Sequence, residues 1–496
     1  MAQSECNRSN NNWNNCIFFV KIMDVLSMKK NIFNNNLNSV LLIISLVIFG
    51  INQLPFLLDM RPVMYDEPWY MNPALNLLHG NGLQNTLVGT GGNVNYVAPL
   101  IMAVGMAMFG ETLLVARMMA VACGLISILI LHLIMNELKC TKWSRIIGYG
   151  LFLSISILNS TFRYVRPEFA VALFVLLGLL FVIRYERDHD WCNMIGLAIT
   201  IYLASCSHPY SLYMFALIGC SLLWEVIETK DWKRIWQMLL LVVSAIAVVL
   251  SMVYLNSILN ESLDSNSIMS RFSMMNAIEA IKISMKHVFI KHGIYTIPFL
   301  ALNLYAIVKI KHVRWIAIPN IVFVFTFPIL FSTDLAMVGN SALYYSLVSI
   351  IVCCYVVNQL FEKKINSRMQ IGILIIMSLL CVFNWGVSTA FNYLKRYEKC
   401  NTILAKDIDV LVPDNSLVYG AIRFWPFKMK STYFCDHNGK ENVPSEFDFL
   451  ILNSQDEYTY KDVAIMQHVV ATKDQYELIY TKQTKQYGIV TIWKHL

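Results

Sequence analysis

Apolar runs near 20 residues long recur almost from one end of this 496-residue chain to the other, and they set the fold. About 20 apolar residues cross a bilayer as one helix, and a helix is the open form that satisfies its own backbone there. The runs fall at 39–58, 112–137, 144–161, 167–185, 191–207, 209–226, 234–256, 291–309, 314–332, 341–361 and 370–391, which predicts about 11 transmembrane helices. Composition agrees: 57% of residues are apolar and 14% charged, against about 25% charged in a soluble domain. The expected class is therefore an all-α polytopic membrane protein. The stretch Val97–Phe109 is too short to cross and reads as re-entrant or interfacial.

Basic residues are distributed unevenly between the runs. With a cytoplasmic N-terminus, alternate loops carry Lys139, Lys142 and Arg145; Arg184 and Arg187; Lys230, Lys233 and Arg234; Lys309, Lys311 and Arg314; and Lys363, Lys364 and Arg368. The positive-inside bias then puts those loops in the cytoplasm and the other loops outside, with the chain in the cell (inner) membrane. The net charge of +7 is spread among the spans and forms no nucleic-acid face. Residues 1–38 are polar and Asn-rich and are expected to be a disordered cytoplasmic segment, with Met28 a workable alternative start. Residues 39–391 form the membrane domain, and 392–496 change character.

In that tail, Leu417–Gly420, Phe447–Leu452, Tyr476–Tyr480 and Tyr487–Trp493 read as strands, the last two as a hairpin. A small C-terminal α/β domain on the outer face is expected. Cys400 and Cys435 would share its oxidising compartment, which permits a disulfide.

The chemistry is expected on the outer face, beginning with Asp66 and Glu67 within Tyr65-Asp66-Glu67-Pro68-Trp69-Tyr70. Two carboxylates among aromatics at a membrane surface are partly desolvated, which raises their pKa and suits a general base; solvated loop acids are the plainer alternative. Asn72-Pro73, followed by Gly80 and Gly82, predicts a short helix starting at Asn72. Arg163 and Arg166 run against the positive-inside bias, and Glu168 opens a helix beside them; they make either an anion site with a second acid or a headgroup contact. Tyr96, His208, Arg271, Lys282 and Lys286 complete the substrate-binding candidates. A local cap at His208-Pro209 and a snorkelling interfacial helix at 282–291 are the plainer readings. Asp66 and Glu168 offer hard oxygens that would suit magnesium or manganese.

Asp66-Glu67, then Phe109-Gly110-Glu111 with Ala116-Arg117, then Arg166-Pro167-Glu168, together resemble the GT-C glycosyltransferases. The branch they resemble most is the dolichyl-phosphate-mannose-protein mannosyltransferase and aminoarabinose-transferase group, over roughly residues 40–210. The resemblance implies inverting transfer of a sugar from a polyprenyl-phosphate donor to a glycan, lipid or protein acceptor at the outer face. Asp66 would then be the base, Glu67 its neighbour in the acidic pair, and Glu168 the second acid. One departure is clear: relatives often carry a basic residue and paired prolines before the re-entrant helix, where this chain has Asn95-Tyr96-Val97-Ala98-Pro99-Leu100. The phosphate contact then falls to Arg166 or Arg271. A transporter or lipid flippase is the alternative class, although no internal repeat supports it.

Overall fold

The computed structural model describes residues 36–59, 61–87, 95–258, 293–330, 335–362, 367–394, 400–435, 446–454 and 473–496, with 282, 286 and 444 singly. The N-terminal segment 1–35, Arg271 and much of the loop after residue 258 lie outside them. The first membrane helix, α1, is Asn36–Leu57, and the helix bearing the acids, α2, is Asp66–Leu78. The short apolar helix α3 is Val97–Phe109, as its length required. Then come α4 (Leu113–Glu137), α5 (Lys142–Ser154), α6 (Ser156–Thr161), α7 (Glu168–Asp188), α8 (Trp191–Ser207), α9 (Tyr210–Thr229) and α10 (Lys233–Ile258). After the large loop follow α11 (Gly293–Lys309), α12 (Arg314–Leu330), α13 (Leu335–Glu362) and α14 (Ser367–Leu394).

Among the described residues, 8 helices are long and apolar enough to cross a membrane. The remaining runs of the expected 11 are shorter: α8 and α11 have 17 residues each, and the run at 144–161 breaks at Ile155, whose ψ of 116° leaves the helical region. The spans differ in their surroundings. Helix α13 has 94% of its apolar window buried and packs against α5, α11 and α12, whereas α14 has only 11% buried. Ile375, Ile376, Leu379, Val382 and Phe383 on α14 and Val242, Val243, Ile246, Val249 and Leu250 on α10 are all exposed. Contiguous apolar faces of that extent belong against lipid. Trp143, Trp191, Trp224, Trp232 and Trp236 are exposed as well, all at helix ends beside the basic loops, where an aromatic belt would meet headgroups.

The tail begins with α15, Cys400–Leu411, and forms one sheet. Its strands are β1 (Leu417–Gly420), β2 (Thr432–Phe434), β3 (Phe449–Asn453), β4 (Tyr476–Thr484) and β5 (Gly488–His495), in the order β2-β1-β3-β5-β4. β1 runs parallel to β2 and β3, while β3, β5 and β4 are antiparallel, so the expected β4–β5 hairpin is present. β2, only 3 residues long, escaped the sequence pattern. Cys435 is buried, and its thiol donates to the Leu87 carbonyl at 2.9 Å. That contact fastens the sheet to the first loop, while the side chain of Cys400, the other half of the permitted disulfide, lies outside the described residues.

Candidate active site

Helix α2 starts at Asp66, six residues before the position expected from Asn72-Pro73. Asp66 and Glu67 fill its first turn, where the positive end of the helix dipole favours carboxylates. Pro73 lies inside the helix, and its missing N–H leaves the Trp69 carbonyl open; the Asn85 side-chain amide fills that place at 2.9 Å. Asn72 does not cap the helix. Its Oδ1 accepts from the Thr86 backbone N–H at 2.8 Å and folds the loop after α2 back along it. Gly80, at φ 79°, and Gly82, at φ 73°, then allow the left-handed turn that ends the helix.

Consecutive residues on a helix do not share a face, and the acidic pair divides accordingly. Glu67 turns inward and is fully buried. Its Oε1 and Oε2 accept from Arg117 Nε and Nη2 at 2.8 and 2.7 Å, Oε2 also from the Met64 N–H at 2.7 Å and Oε1 from the Val165 N–H at 3.3 Å. Arg117, one turn into α4, completes its fork on the carbonyls of Phe56 and Pro62 at 3.2 and 3.1 Å. These bonds join α1, α2, α4 and the 162–167 turn. The geometry thus moves Glu67 from the expected catalytic neighbour to a residue that holds the site together.

Asp66 points the other way, with 36% of its side chain exposed. Burial raises its pKa above the ordinary 3.8; Arg166 opposes this, and Glu168 and Glu67 add to it. Arg166 stands between two acids, its Nε 3.4 Å from Asp66 Oδ2 and its Nη2 donating to Glu168 Oε1 at 2.8 Å. Burial works most strongly against the charge on Arg166, yet Glu168 and Asp66 more than offset it and lift its pKa above the usual guanidinium value. Behind Arg166 lies a cavity of about 120 Å³ lined by Met64, Ile157, Ser160, Thr161, Tyr164, Arg166, Glu168 and Leu343. The structure therefore brings Asp66, Arg166 and Glu168 together at the end of the helical bundle.

The other candidates separate. Arg163 is buried, its guanidinium 5.2 Å from the Phe56 ring centre, and burial pushes its pKa down to about 10, which leaves it charged at neutral pH. His208 is buried, with Nδ1 3.5 Å from the hydroxyl of Tyr344, a residue whose field includes Glu168. It stands behind the acids rather than on the cavity wall. The Tyr96 hydroxyl meets that of Tyr202 at 2.5 Å, which meets Ser251 Oγ at 2.7 Å; Tyr96 ties the start of α3 to α8 and α10 and does not line the cavity. Lys282 and Lys286 are exposed, and Arg271 falls outside the described residues. Sequence reasoning gave no task to Arg117 or Tyr344. An arginine inside a span was a signal for Arg117, since buried cations come paired; nothing marked Tyr344 among other span aromatics.

A divalent ion held by Asp66 and Glu168 would have to displace the Arg166 guanidinium that stands between them, with water and a donor phosphate completing its oxygens. Both carboxylates are turned to one guanidinium, and among the described residues no three His, Cys, Asp or Glu side chains converge on a point. Magnesium or manganese takes about six oxygen ligands.

The structure of ArnT from Cupriavidus metallidurans bound to undecaprenyl phosphate is similar with a TM-score of 0.61, and the apo ArnT structure with 0.63; each is 12% identical, and each match covers 92% of this chain and 97% of that one. This chain accordingly shares the fold of the aminoarabinose transferase ArnT. Residues 99–285 match the family described as a domain of unknown function (DUF6311). No curated protein matches the sequence.

Proposed function

We propose that this multi-pass membrane protein transfers a sugar, with inversion, from a polyprenyl-phosphate donor to a hydroxyl of a glycan, lipid or protein acceptor of the cell envelope, and that Asp66 is the base. The observation that carries the proposal is the division of the acidic pair. Asp66 keeps contact with solvent where Glu67 is buried, and it meets a cation shared with Glu168; burial raises the Asp66 pKa. In the step proposed, the Asp66 carboxylate takes the acceptor's hydroxyl proton as its oxygen attacks the anomeric carbon. The bond from that carbon to the phosphate oxygen breaks with its electron pair, and polyprenyl phosphate leaves as an anion. Arg166 would stabilise the charge that develops on the leaving phosphate. A neighbouring fold crystallised with undecaprenyl phosphate supports a lipid-phosphate partner.

The same proposal places the N-terminus in the cytoplasm, and Asp66 and the C-terminal sheet outside the inner membrane. The five basic loops and the exposed tryptophans beside them support this orientation. The test is a panel of polyprenyl-phosphate sugars offered to purified protein in nanodiscs, with release of polyprenyl phosphate as the readout. Release that depends on an acceptor supports the reading; donor that crosses the bilayer uncleaved would make the protein a transporter or flippase. A reporter active only outside the cytosol, fused to the tail, should be active, and one in the 226–233 loop silent.

A further inference from the structure

The segment between α1 and α2 carries Asp66 at its end and is gripped from two sides in alternation. From the membrane side, Arg117 holds the Phe56 and Pro62 carbonyls at 3.2 and 3.1 Å, and Glu67 holds the Met64 N–H at 2.7 Å. From the tail, Thr402 gives its backbone N–H and its hydroxyl to Asp59 Oδ2 at 2.6 and 2.5 Å. Asn401 gives its side-chain amide to the Arg61 carbonyl at 2.8 Å, and the Tyr487 hydroxyl accepts from the Val63 N–H at 3.0 Å. Residues 59, 61 and 63 thus answer to the tail, and 62 and 64 to the membrane helices.

Tyr487 closes the arrangement. It sits between β4 and β5, 424 residues from Val63 in sequence, and is fully buried. Its hydroxyl donates to Asn401 Oδ1 at 2.7 Å, and its ring meets Phe424 edge-on at 5.2 Å. A hydroxyl that both donates and accepts inside a dry contact is fixed in direction, and so is the N–H it receives. Two residues, Met64 and Tyr65, separate Val63 from Asp66.

From this geometry we infer that the C-terminal sheet is a working part of the site: Tyr487 is a positioning residue that fixes the segment leading into Asp66. The inference rests on the proposed role of Asp66 as base. It gives the tail a task that docking alone would not require, because the contacts fall on the backbone before the base instead of on a neutral surface of the bundle.

The test is Tyr487→Phe in full-length protein in nanodiscs, which removes the hydroxyl and keeps the ring. Hydrogen exchange at the Val63 and Met64 amides should quicken while the spans remain protected. The turnover number should fall about tenfold, within what a sub-ångström misplacement costs, with KM for the lipid donor unchanged. Water reaching Asp66 should also move the acid limb of the turnover profile to lower pH. Unchanged exchange would overturn the latch, and faster exchange with unchanged turnover and pH profile would overturn its role in positioning. If Tyr487→Phe does not fold, Thr402→Val removes one bond at an exposed position and is expected to give the same changes on a smaller scale. Asp66→Asn, run in parallel, separates the two readings: full turnover there sinks the assignment of the base, while the exchange data still decide the latch.

Discussion

Two acid–arginine groups lie within one turn of each other, and they are built for different ends. Glu67 and Arg117 form a two-pronged pair that is closed to water, with two further donors of the arginine taken by backbone carbonyls. Asp66, Arg166 and Glu168 form an open chain in which one guanidinium serves two carboxylates, one of them at 3.4 Å and in contact with solvent. A buried pair so engaged has little capacity left for a substrate and a high cost of disruption. A strained-for, half-wet pair has the reverse. The same residue types, adjacent in sequence, thus supply the frame and the reactive group.

The sharpest way to break the comparison is Arg117→Ala. It strands the Glu67 carboxylate in a dry site, and loss of one partner of a buried pair costs about 3–5 kcal/mol. Folded, membrane-inserted protein should fall sharply, as read by thermal unfolding or the monodisperse fraction after solubilisation. Glu67→Gln should act in the same direction and lower the yield of folded protein more than the turnover of what remains. Normal stability in both variants would remove the structural role of the buried pair.

Asp66→Asn should do the opposite. The amide keeps shape and hydrogen bonding but cannot take a proton, so single-turnover transfer should drop about 10²–10⁴-fold, the usual worth of a general base. Donor binding should persist. Near-normal turnover would leave the open chain without a catalytic role.

Arg166→Ala comes next in size. A charge-assisted hydrogen bond is worth about 1.5–3 kcal/mol, so turnover should fall roughly tenfold to a hundredfold. Asp66 would also lose the cation that holds its pKa down, and the acid limb of activity should move to higher pH. An acid limb that stays in place would place the two groups out of each other's influence.

The smallest effect is on stability against pH. Burial raises the pKa of Asp66 above its unfolded value, so the folded chain holds that proton more tightly than the unfolded chain does. Its contribution to stability is complete below the unfolded pKa and is lost as pH rises through the folded one. At neutral pH, Asp66→Asn should therefore melt slightly higher than the parent, and the gap should close at low pH. A lower melting temperature at neutral pH would show that the charge on Asp66 serves the fold.

Much of this protein was legible before any contact was known. Hydropathy runs of bilayer length determined a polytopic helical protein, because lipid leaves a backbone few ways to satisfy itself. The alternating pattern of Tyr476–Tyr480 and Tyr487–Trp493 determined the hairpin, and the short run Val97–Phe109 determined a short apolar helix. Asp66, Arg166 and Glu168 stood out because charges are costly at a membrane surface. What the sequence could not decide was which of two adjacent acids would be buried. That followed from where α2 begins, six residues earlier than Asn72-Pro73 suggested, and from Arg117, which is 50 residues from Glu67 in sequence. Nor could it place Tyr487 against Val63, a bond across 424 residues. Local patterns record what each segment does with lipid, water and its own backbone; pairings between distant side chains exist only after the helices and the sheet have packed, and in this protein those pairings separate the frame from the site.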